Sequence, residues 1–457
     1  MDPEIGELPQ GDILIENGRI ARVAPSIPGV DAEVIDAAGH IVAPGLIDTH
    51  RHSWHALLRG LPIDWTLQAY LVRVRFGLSR AYHPADIKIA TTLAALDGLN
   101  AGVTTVLDFS HSINTPDHAD AAVEGLHDSG VRAVFGYGFF ESSPDAPTHF
   151  PGTAARIKDF ARIAATYFSS SEGLLTLGAS LNEPGIVPFS ITRAEIEAAR
   201  SHDAVIVTHT GASWQFPSGV KELDTAGLLG PDMVHVHCTA LTDGEWKVLA
   251  RTGGKVSIAV EADLNSGMGR PPFAACERHG IKPSLSQDSP GSIAADMLSQ
   301  LRMGLGFKRW ETNEAAHLDG RDPSSQTITA QDALRWSTVN AAEAIGLGHR
   351  IGSLSPGKQA DLIVVGGPAF SQHLRIDAVG TLLAHTTPAD IRHVLVGGNV
   401  VKRDGELVSA RLPGLRAEAD RATSELLIRA EQLPPGLPEM LKNGFDAEQA
   451  NANLRDV

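Results

Sequence analysis

The central part of the chain alternates short apolar runs with helical patterns, and this alternation constrains the fold more than any other feature. Eight runs predict strands, at residues 45–49, 104–108, 133–136, 174–177, 204–208, 233–237, 255–259 and 283–286. Helical patterns lie between them, for example at residues 84–100, 118–129, 193–201 and 243–251. Alternating strands and helices are typical of a parallel α/β architecture, and eight strands are what a closed (β/α)8 TIM barrel requires.

Two β-rich segments flank the predicted barrel. Their strands are predicted at residues 12–16, 19–23, 40–44, 361–365, 393–396 and 400–401, with one more directly before Ala38. Asn17 and Gly18 separate the first two strands, which is a strong hairpin signal. We expect both segments to form one small β-sandwich domain beside the barrel. The expected ranges are 1–43 and 350–410 for the small domain, 44–349 for the barrel and 411–457 for a polar helical tail.

The charge balance narrows the range of partners. The formal net charge is −16, which argues against nucleic acid and anionic membranes, because phosphate binding needs a basic face. No apolar run approaches the roughly 18 residues that a membrane-spanning helix needs. The first ten residues contain three acids and no base, so they lack the basic region of a signal peptide. We therefore expect a cytoplasmic protein that acts on a small molecule.

The sharpest chemical signal is the run Pro-Gly-Leu-Ile-Asp-Thr-His-Arg-His at residues 44–52. Side chains two apart on a strand point the same way, so His50 and His52 can offer two imidazoles to one metal ion. A pair of surface or capping histidines is the alternative, and a lone His-x-His would favour it. The apolar, strand-like run before His50 favours the metal site instead. The same alternation turns Arg51 away from the metal.

Two more histidines and one aspartate stand at or just after the ends of other predicted barrel strands, as His50 and His52 do. His209 ends the fifth predicted strand, His237 ends the sixth, and Asp288 follows the eighth. A carboxylate there can bind a metal through one oxygen and take a proton from metal-bound water through the other, although an isolated Asp could equally cap a helix. His235 should share the face of His237 one layer deeper, as an interior residue held by hydrogen bonds. Together these residues predict a site at the C-terminal face of the barrel.

With these residues in place, the chain resembles the amidohydrolase superfamily, in the branch that holds cytosine and guanine deaminases and the triazine hydrolases. The resemblance runs over nearly the whole chain. Its motifs stand at residues 44–52, 100–105 (NAGVTT), 237–238 with 243–245 (HC and DGE), 340–344 (NAAEA), 352–354 (GSL) and 357–362 (GKQADL). The N-terminal β segment is one strand shorter than in that family, so we expect the chain start to be truncated or misassigned.

The resemblance implies a metal site and a division of roles. One divalent metal ion, zinc first and iron, manganese or nickel next, would be held by His50, His52, His209 and Asp288. Asp288 would also act as the general base, and His237 would polarise the substrate carbonyl or hold the attacking water. No lysine ends the fourth predicted strand, where members with two metals carry one, which favours a single ion.

The chain departs from the family at one position. Deaminases of this branch place a glutamate three residues after the fifth-strand histidine, to protonate a ring nitrogen, whereas this chain has Ala212 there. A methyl group cannot transfer a proton. Glu261, Asp263 and His111 are the candidate substitutes, although each also fits a loop or supporting position. The change equally permits a substrate whose leaving group needs no such proton.

Aromatic residues after the barrel strands could form pocket walls. Trp54 and Trp65 follow the first strand, and Trp214 follows the fifth. Each could stack on a flat substrate, or pack under a loop as an ordinary apolar residue. We include them with His111 and Glu261 as candidate substrate-binding residues.

These observations support one leading function and two alternatives. The leading hypothesis is an enzyme that uses metal-activated water to hydrolyse a C–N or similar C–X bond of a small cyclic molecule. The first alternative is an aminoheterocycle deaminase with a substitute acid. The second is a non-catalytic scaffold, which would have no need for five aligned site residues. The resemblance to this family also predicts that the protein forms a homo-oligomer.

Overall fold

The structure is a computed structural model that describes residues 2, 4–140, 149–170, 172–367, 373 and 375–433. Its strands are β1 (Asp12–Glu16), β2 (Arg19–Ala24), β3 (Ile41–Pro44), β4 (Leu46–Arg51), β5 (Val103–Ser110), β6 (Arg132–Gly138), β7 (Leu175–Ser180), β8 (Val205–Thr210), β9 (Met233–His237), β10 (Lys255–Ile258), β11 (Pro283–Leu285), β12 (Leu362–Val365), β13 (Ile391–Val396), β14 (Asn399–Arg403) and β15 (Glu406–Leu407). Its helices are α1 (Leu67–Tyr70), α2 (Pro84–Asn100), α3 (Pro116–Ser129), α4 (Thr153–Tyr167), α5 (Phe189–Arg200), α6 (Val220–Thr225), α7 (Asp243–Thr252), α8 (Val260–Asn265), α9 (Phe273–Arg278), α10 (Met297–Leu318), α11 (Ala330–Trp336), α12 (Val339–Ala344), α13 (Ala378–His385) and α14 (Leu412–Glu431).

Strands β4 to β11 form one parallel sheet in sequence order, and the predicted barrel is confirmed. Two backbone hydrogen bonds close it between the first and last strands: Asp288 N donates to His50 O at 3.0 Å, and His52 N donates to Asp288 O at 2.8 Å. Strands β4 to β8 each continue two or three residues past their predicted C-terminal ends. Their polar last residues remain in the ladder, which the apolar pattern alone does not reveal.

The lower half of the barrel interior is apolar. One cluster of buried side chains fills it and continues into α12 and the turn after that helix, so α12 closes the N-terminal end of the barrel. Its members include Ile47, Leu107, Val134, Val207, Val234, Ala341, Ala342 and Ile345. The interior below the site is therefore a packed and mostly apolar core, with hydroxyl contacts such as that between Thr49 and Ser257 at 2.7 Å.

The small domain is built from both ends of the chain, as predicted. Strands β15, β14, β13, β12 and β3 form an antiparallel sheet in that order, and β1 and β2 form the hairpin. Ile13 and Ile15 of the hairpin pack against Leu362 and Leu395 of the sheet. The predicted strand before Ala38 is wrong, because residues 31–37 form no strand. There the Asp36 carboxylate accepts a hydrogen bond from Ala38 N at 2.9 Å, and this local turn replaces strand pairing.

Buried polar contacts attach the small domain to the N-terminal ends of the barrel strands. Arg132, at the start of β6, donates to both carboxylate oxygens of Asp361 at 2.6 and 3.0 Å. The same carboxylate accepts Gly397 N at 2.7 Å. Lys402 donates to Asn100 O at 2.7 Å. Each of these residues has at least one buried partner, so these contacts join the small domain to the barrel, although Arg132 Nη1 has no hydrogen-bond partner.

Helix α14 packs on the long connection between β4 and α2. Thr423 donates to Leu57 O at 3.2 Å, and Arg429 donates to Ala81 O at 2.9 Å and forms an ion pair with Asp86. The predicted helical tail is therefore present up to Glu431, and residues 434–457 of that prediction lie outside the described residues. No helix within the described ranges is long and apolar enough to cross a membrane.

Candidate metal and active site

Strand β4 brings His50 and His52 to the top of the barrel interior. The pairing of β4 with β5 shifts register between Asp48 and Arg51, which places an irregularity around His50. Their rings lie 4.5 Å apart, edge to face. Arg51 turns outward, where a Cβ on Gly98 of α2 would lie 2.7 Å from its Nη1. The metal-facing and helix-facing roles of this run are thus divided among adjacent residues.

Closure of the barrel sets Asp288 beside the same histidines. Its backbone N–H and carbonyl are both hydrogen-bonded to the backbone of the β4 segment, at His50 and His52. In addition, Gln287 N donates a hydrogen bond to Asp48 Oδ1 at 3.1 Å. Asp288 Oδ1 lies 3.3 Å from His50 Nε2 and 3.3 Å from His52 Nε2. Asp288 also has a φ of 70°, a left-handed conformation that non-glycine residues adopt mostly where the surroundings demand it.

His209 and His237 reach the site in different ways. On β8, Val205 and Val207 pack in the interior cluster, and simple alternation continues inward to His209. On β9, alternation would turn His237 outward, because Val234 and Val236 already face inward. A φ of 69° at His237 reverses this, and its ring stacks 5.5 Å from that of His209.

The expectation that His235 shares the interior face with His237 is wrong. His235 lies outside the interior cluster, where a Cβ on Gly254 would lie 3.1 Å from its Cδ2 and 3.5 Å from Leu249. Its Nδ1 is hydrogen-bonded to the Thr210 hydroxyl at 2.9 Å. The reason for the error is the positive φ of His237, which breaks the strand alternation that the sequence argument assumed.

The predicted ligands converge within one small volume. Three overlapping groups have their ligand atoms within 4.8 Å of one another: His50 with His209 and His237, His52 with His111 and His209, and His50 with His52 and Asp288. Both ring nitrogens of His50 are buried and have no hydrogen-bond partner. Burial also lowers the pKa of His50 well below its ordinary value, which favours the neutral imidazole that binds metals. This donor set fits a divalent cation.

Each of three histidines is oriented by an acceptor at Nδ1. His52 contacts Phe109 O at 3.0 Å, and His209 contacts Glu183 Oε1 at 3.1 Å. His237 contacts Asp263 Oδ1 at 2.8 Å. Such contacts fix the tautomer with Nε2 towards the site, as is typical of histidines that bind metals.

Two acids support these histidines in different environments. Burial raises the pKa of Asp263 to about 6, although its hydrogen bond with His237 opposes that shift. Burial alone would raise the pKa of Glu183, but the hydrogen bond and charge of His209 outweigh it and hold the pKa below its ordinary value. Glu183 was missed by the sequence reasoning. Its only signal is an acid in the loop directly after the fourth barrel strand.

A cavity opens above these residues, and only some of the candidate substrate-binding residues line it. Trp65 and His111 line it, together with the predicted ligands His52, His209, His237 and Asp288. Trp54 does not line it: it is 1% exposed, beneath the cavity, in the short 3-10 turn Ser53–Leu58. Trp214 is 55% exposed and also lies outside the lining.

Glu261 also lies outside the lining, although it stands on α8 directly after β10. Its carboxylate accepts Gln300 Nε2 at 2.6 Å, so it is engaged with α10. The structure therefore separates the five candidates into two that face the cavity and three that do not.

The connection between β4 and α2 supplies cavity residues that the sequence did not single out. Tyr70 and Arg75 both line the cavity. The Tyr70 hydroxyl lies 3.3 Å from His55 Nε2, and His55 Nδ1 lies 3.0 Å from the Ser289 hydroxyl. These contacts link the wall of the cavity to the residue after Asp288.

Comparison with known proteins gives a consistent result. A family model described as the amidohydrolase family matches residues 41–401. The chain is 29% identical over 445 residues to a 5-methylthioadenosine/S-adenosylhomocysteine deaminase of Symbiobacterium thermophilum, covering 91% of this chain and 94% of that protein. It is 26% identical over 441 residues to a 5'-deoxyadenosine deaminase of Methanosarcina mazei, covering 94% and 96%.

Solved structures share the fold. An adenosine deaminase from Xanthomonas campestris with bound zinc superposes with a TM-score of 0.80 at 22% identity, covering 92% of this chain and 94% of that one. An atrazine chlorohydrolase from Arthrobacter aurescens in complex with zinc also gives a TM-score of 0.80, at 21% identity, covering 92% and 97%.

Proposed function

Because the chain belongs to the amidohydrolase family, we propose that it is a metal-dependent hydrolase of a C–N bond, or a comparable C–X bond, in a small cyclic molecule. The observation that carries this proposal is the convergence of four ligand-type side chains at the top of the barrel. A scaffold protein has no need to keep unpartnered buried imidazole nitrogens, because each costs free energy unless something binds it.

His50, His52, His209 and Asp288 would hold one divalent ion. Zinc is the first expectation, supported by the zinc in both structural neighbours, with iron, manganese and nickel next. A divalent metal in this site would supply Lewis acidity and lower the pKa of water towards about 7. The rest of the chemistry depends on the chain's own side chains.

Asp288 is proposed as the general base, because its carboxylate lies at the edge of the cavity and has a second oxygen to accept a proton. His237 is held through Nδ1 by Asp263, which leaves Nε2 facing the cavity. There it can donate a hydrogen bond to the substrate atom that gains negative charge. The hydrogen bond to Asp263 raises the pKa of His237 against the opposing effect of burial, which keeps a proton available for that bond.

Deamination of an aminoheterocycle is the second candidate, favoured by the activities that the names of the two relatives give. Ala212 lines the cavity and cannot supply a proton. Of the three substitutes, Glu261 is bonded to Gln300 and Asp263 to His237. His111 alone among them lines the cavity, and its Nδ1 has no hydrogen-bond partner. Deamination would therefore use His111 to protonate the ring, against the effect of burial, which lowers the pKa of His111 well below its ordinary value.

A substrate screen with two variants tests both candidates. The zinc-loaded protein is assayed on cyclic ureas, cyclic amides, haloheterocycles and aminoheterocycles, with ammonia release measured separately from ring opening. We expect hydrolysis of at least one class and about one metal ion per chain by elemental analysis. No metal after supplementation, with no turnover, would favour the scaffold.

The variants His111→Ala and Glu261→Gln separate the two reactions. If ammonia is released and His111→Ala lowers kcat by about 100-fold, deamination through His111 is supported. Glu261→Gln serves as the matched control, because its carboxylate is turned away from the cavity.

Cytoplasmic location and a homo-oligomer remain predictions. Light scattering after size-exclusion chromatography checks the oligomeric state.

A further inference from the structure

The cavity lining includes one arginine, and no other described residue forms an ion pair with it. Apart from the metal-site histidines, its lining is largely apolar, with Trp65, Leu71 and Phe216 among its walls. Arg75 lies in this lining and is 3% exposed. Its Nη1 is buried without a hydrogen-bond partner, and among the described residues its guanidinium has no acid within ion-pair distance.

Other arginines buried to the same degree each have a carbonyl acceptor or a nearby acid, although each also has a nitrogen without a hydrogen-bond partner. Arg132 is bonded to both oxygens of Asp361, and Arg156 donates to Ile113 O at 2.9 Å. Arg51 lies 3.8 Å from the Asp48 carboxylate. Burial of an unpaired charge is costly, so a guanidinium kept without an acceptor at the edge of a cavity points to a partner from outside the chain.

The guanidinium of Arg75 lies over two aromatic rings. The Arg75 Cζ lies 4.9 Å from the centre of the Phe76 ring and 4.8 Å from the centre of the Phe140 ring. Contacts with aromatic rings favour the cation without satisfying all of its N–H donors, which can still bind an acceptor. The edge of the guanidinium is the part that forms paired hydrogen bonds with a carboxylate.

From these observations we propose that Arg75 binds a carboxylate group of the substrate, so that the enzyme acts on a cyclic molecule that carries an anionic substituent. This proposal rests on the proposed function for the cavity being the substrate site. The ring of the substrate would lie among the apolar walls, with its reacting bond towards Asp288 and its carboxylate towards Arg75.

Glu183 is the competing explanation for the charge of Arg75, because both residues line the cavity. One oxygen of Glu183 is already engaged by His209 Nδ1 at 3.1 Å. If Arg75 served only to balance Glu183, its removal would weaken neutral and anionic ligands equally. A carboxylate site predicts a loss confined to anionic ligands, and this difference is the basis of the test.

The test measures binding of benzoate and benzamide to metal-free protein at pH 7, by NMR line broadening or by quenching of tryptophan fluorescence. The two probes share a ring and differ in charge, and without metal the carboxylate cannot bind an ion. We expect wild-type protein to bind benzoate at least about 10-fold more tightly than benzamide, because paired charge-assisted hydrogen bonds are stronger than neutral ones. Arg75→Met should abolish the preference, and Arg75→Lys should retain part of it.

Arg73→Met is the matched control. Arg73 belongs to the same segment, but it is exposed and its guanidinium lies over Trp65 at 4.9 Å. It should keep the preference for benzoate. Equal affinity of wild-type protein for both probes would overturn the proposal without any variant, and so would a preference that survives Arg75→Met. Binding is measured without turnover, so the two proposals can fail separately. If the protein hydrolyses a substrate but shows no preference for benzoate, only this inference is wrong. If it prefers benzoate but neither binds metal nor hydrolyses any substrate, only the proposed function is wrong.

Discussion

The two ends of the barrel differ in how far their buried polar groups are hydrogen-bonded. At the N-terminal end, the Arg132 and Asp361 side chains are hydrogen-bonded to each other and Lys402 has two carbonyl acceptors, so that Arg132 Nη1 is the one group of these three side chains without a partner. At the C-terminal end, both ring nitrogens of His50 and one oxygen of Asp263 are buried without hydrogen-bond partners. His237 and Asp288 adopt positive φ angles there.

The difference shows where the chain uses its polar residues for stability and where for chemistry. The hydrogen-bonded polar groups at the N-terminal end hold the small domain to the barrel, and the polar groups without partners at the C-terminal end are available to bind a ligand. Substitutions at the two ends should therefore have separable effects, on activity above and on stability below.

The largest expected effect is from loss of a metal ligand. His209→Asn should lower kcat/KM by at least about 1,000-fold, because the metal contributes several kcal/mol to the transition state. Metal content should fall well below that of the wild-type protein, measured by elemental analysis after dialysis. The unfolding midpoints of the metal-free variant and metal-free wild type should agree. Activity near the wild-type value without bound metal would contradict the separation of the two ends.

A smaller effect, on stability, is expected at the opposite end. Arg132→Met leaves the buried Asp361 carboxylate without its partner and should cost about 3 to 5 kcal/mol, read from urea unfolding. The double variant Arg132→Met with Asp361→Leu should recover part of this loss, because it removes the orphaned charge. At a temperature where the variant is folded, its kcat should equal that of wild type, and a change in kcat would show that the two ends are coupled.

The smallest effect is a pH dependence at Lys402. Burial lowers the pKa of Lys402 to about 8, whereas in the unfolded chain the pKa of this lysine is at its ordinary value of 10.5. Between these values the unfolded state binds more protons, so the stability that Lys402 contributes rises with pH. Relative to Lys402→Met, wild type should gain roughly 1 to 2 kcal/mol between pH 7 and pH 10, measured by urea unfolding. A difference between the two proteins that is flat with pH would contradict the buried position of this amine.

The barrel was predictable because each of its strands is a short apolar run between helical patterns, and such a run fits few structures other than a buried strand. The same holds for His209, which ends such a run and follows the inward alternation of Val205 and Val207. His50 and His52 were predicted to share a face, but Ile47 also faces inward, so the irregularity of β4 between Asp48 and Arg51 is needed to turn them towards the site. His237 was found for an incomplete reason: it ends an apolar run, but its ring faces the site only through a positive φ that no pattern shows.

The cavity wall was less predictable, because irregular segments form it. Arg75 and Tyr70 lie in a connection of short helical turns without strand or heptad periodicity, so their directions depend on tertiary packing. Trp54 shows the opposite error. It follows the first strand closely and was interpreted as a possible wall, but a tight turn directs it inward, and its carbonyl accepts the Tyr82 hydroxyl at 2.9 Å.

The packing of α14 on the connection between β4 and α2 has a consequence for the order of synthesis. Residues 53–82 leave the ribosome more than 300 residues before Leu412–Glu431, the helix that supports them. Strand β3 waits similarly for its partner β12. The nascent chain can thus assemble its barrel strands one after another, as growing chains do, but the ligand cavity gains its outer support only after α14 has been synthesised.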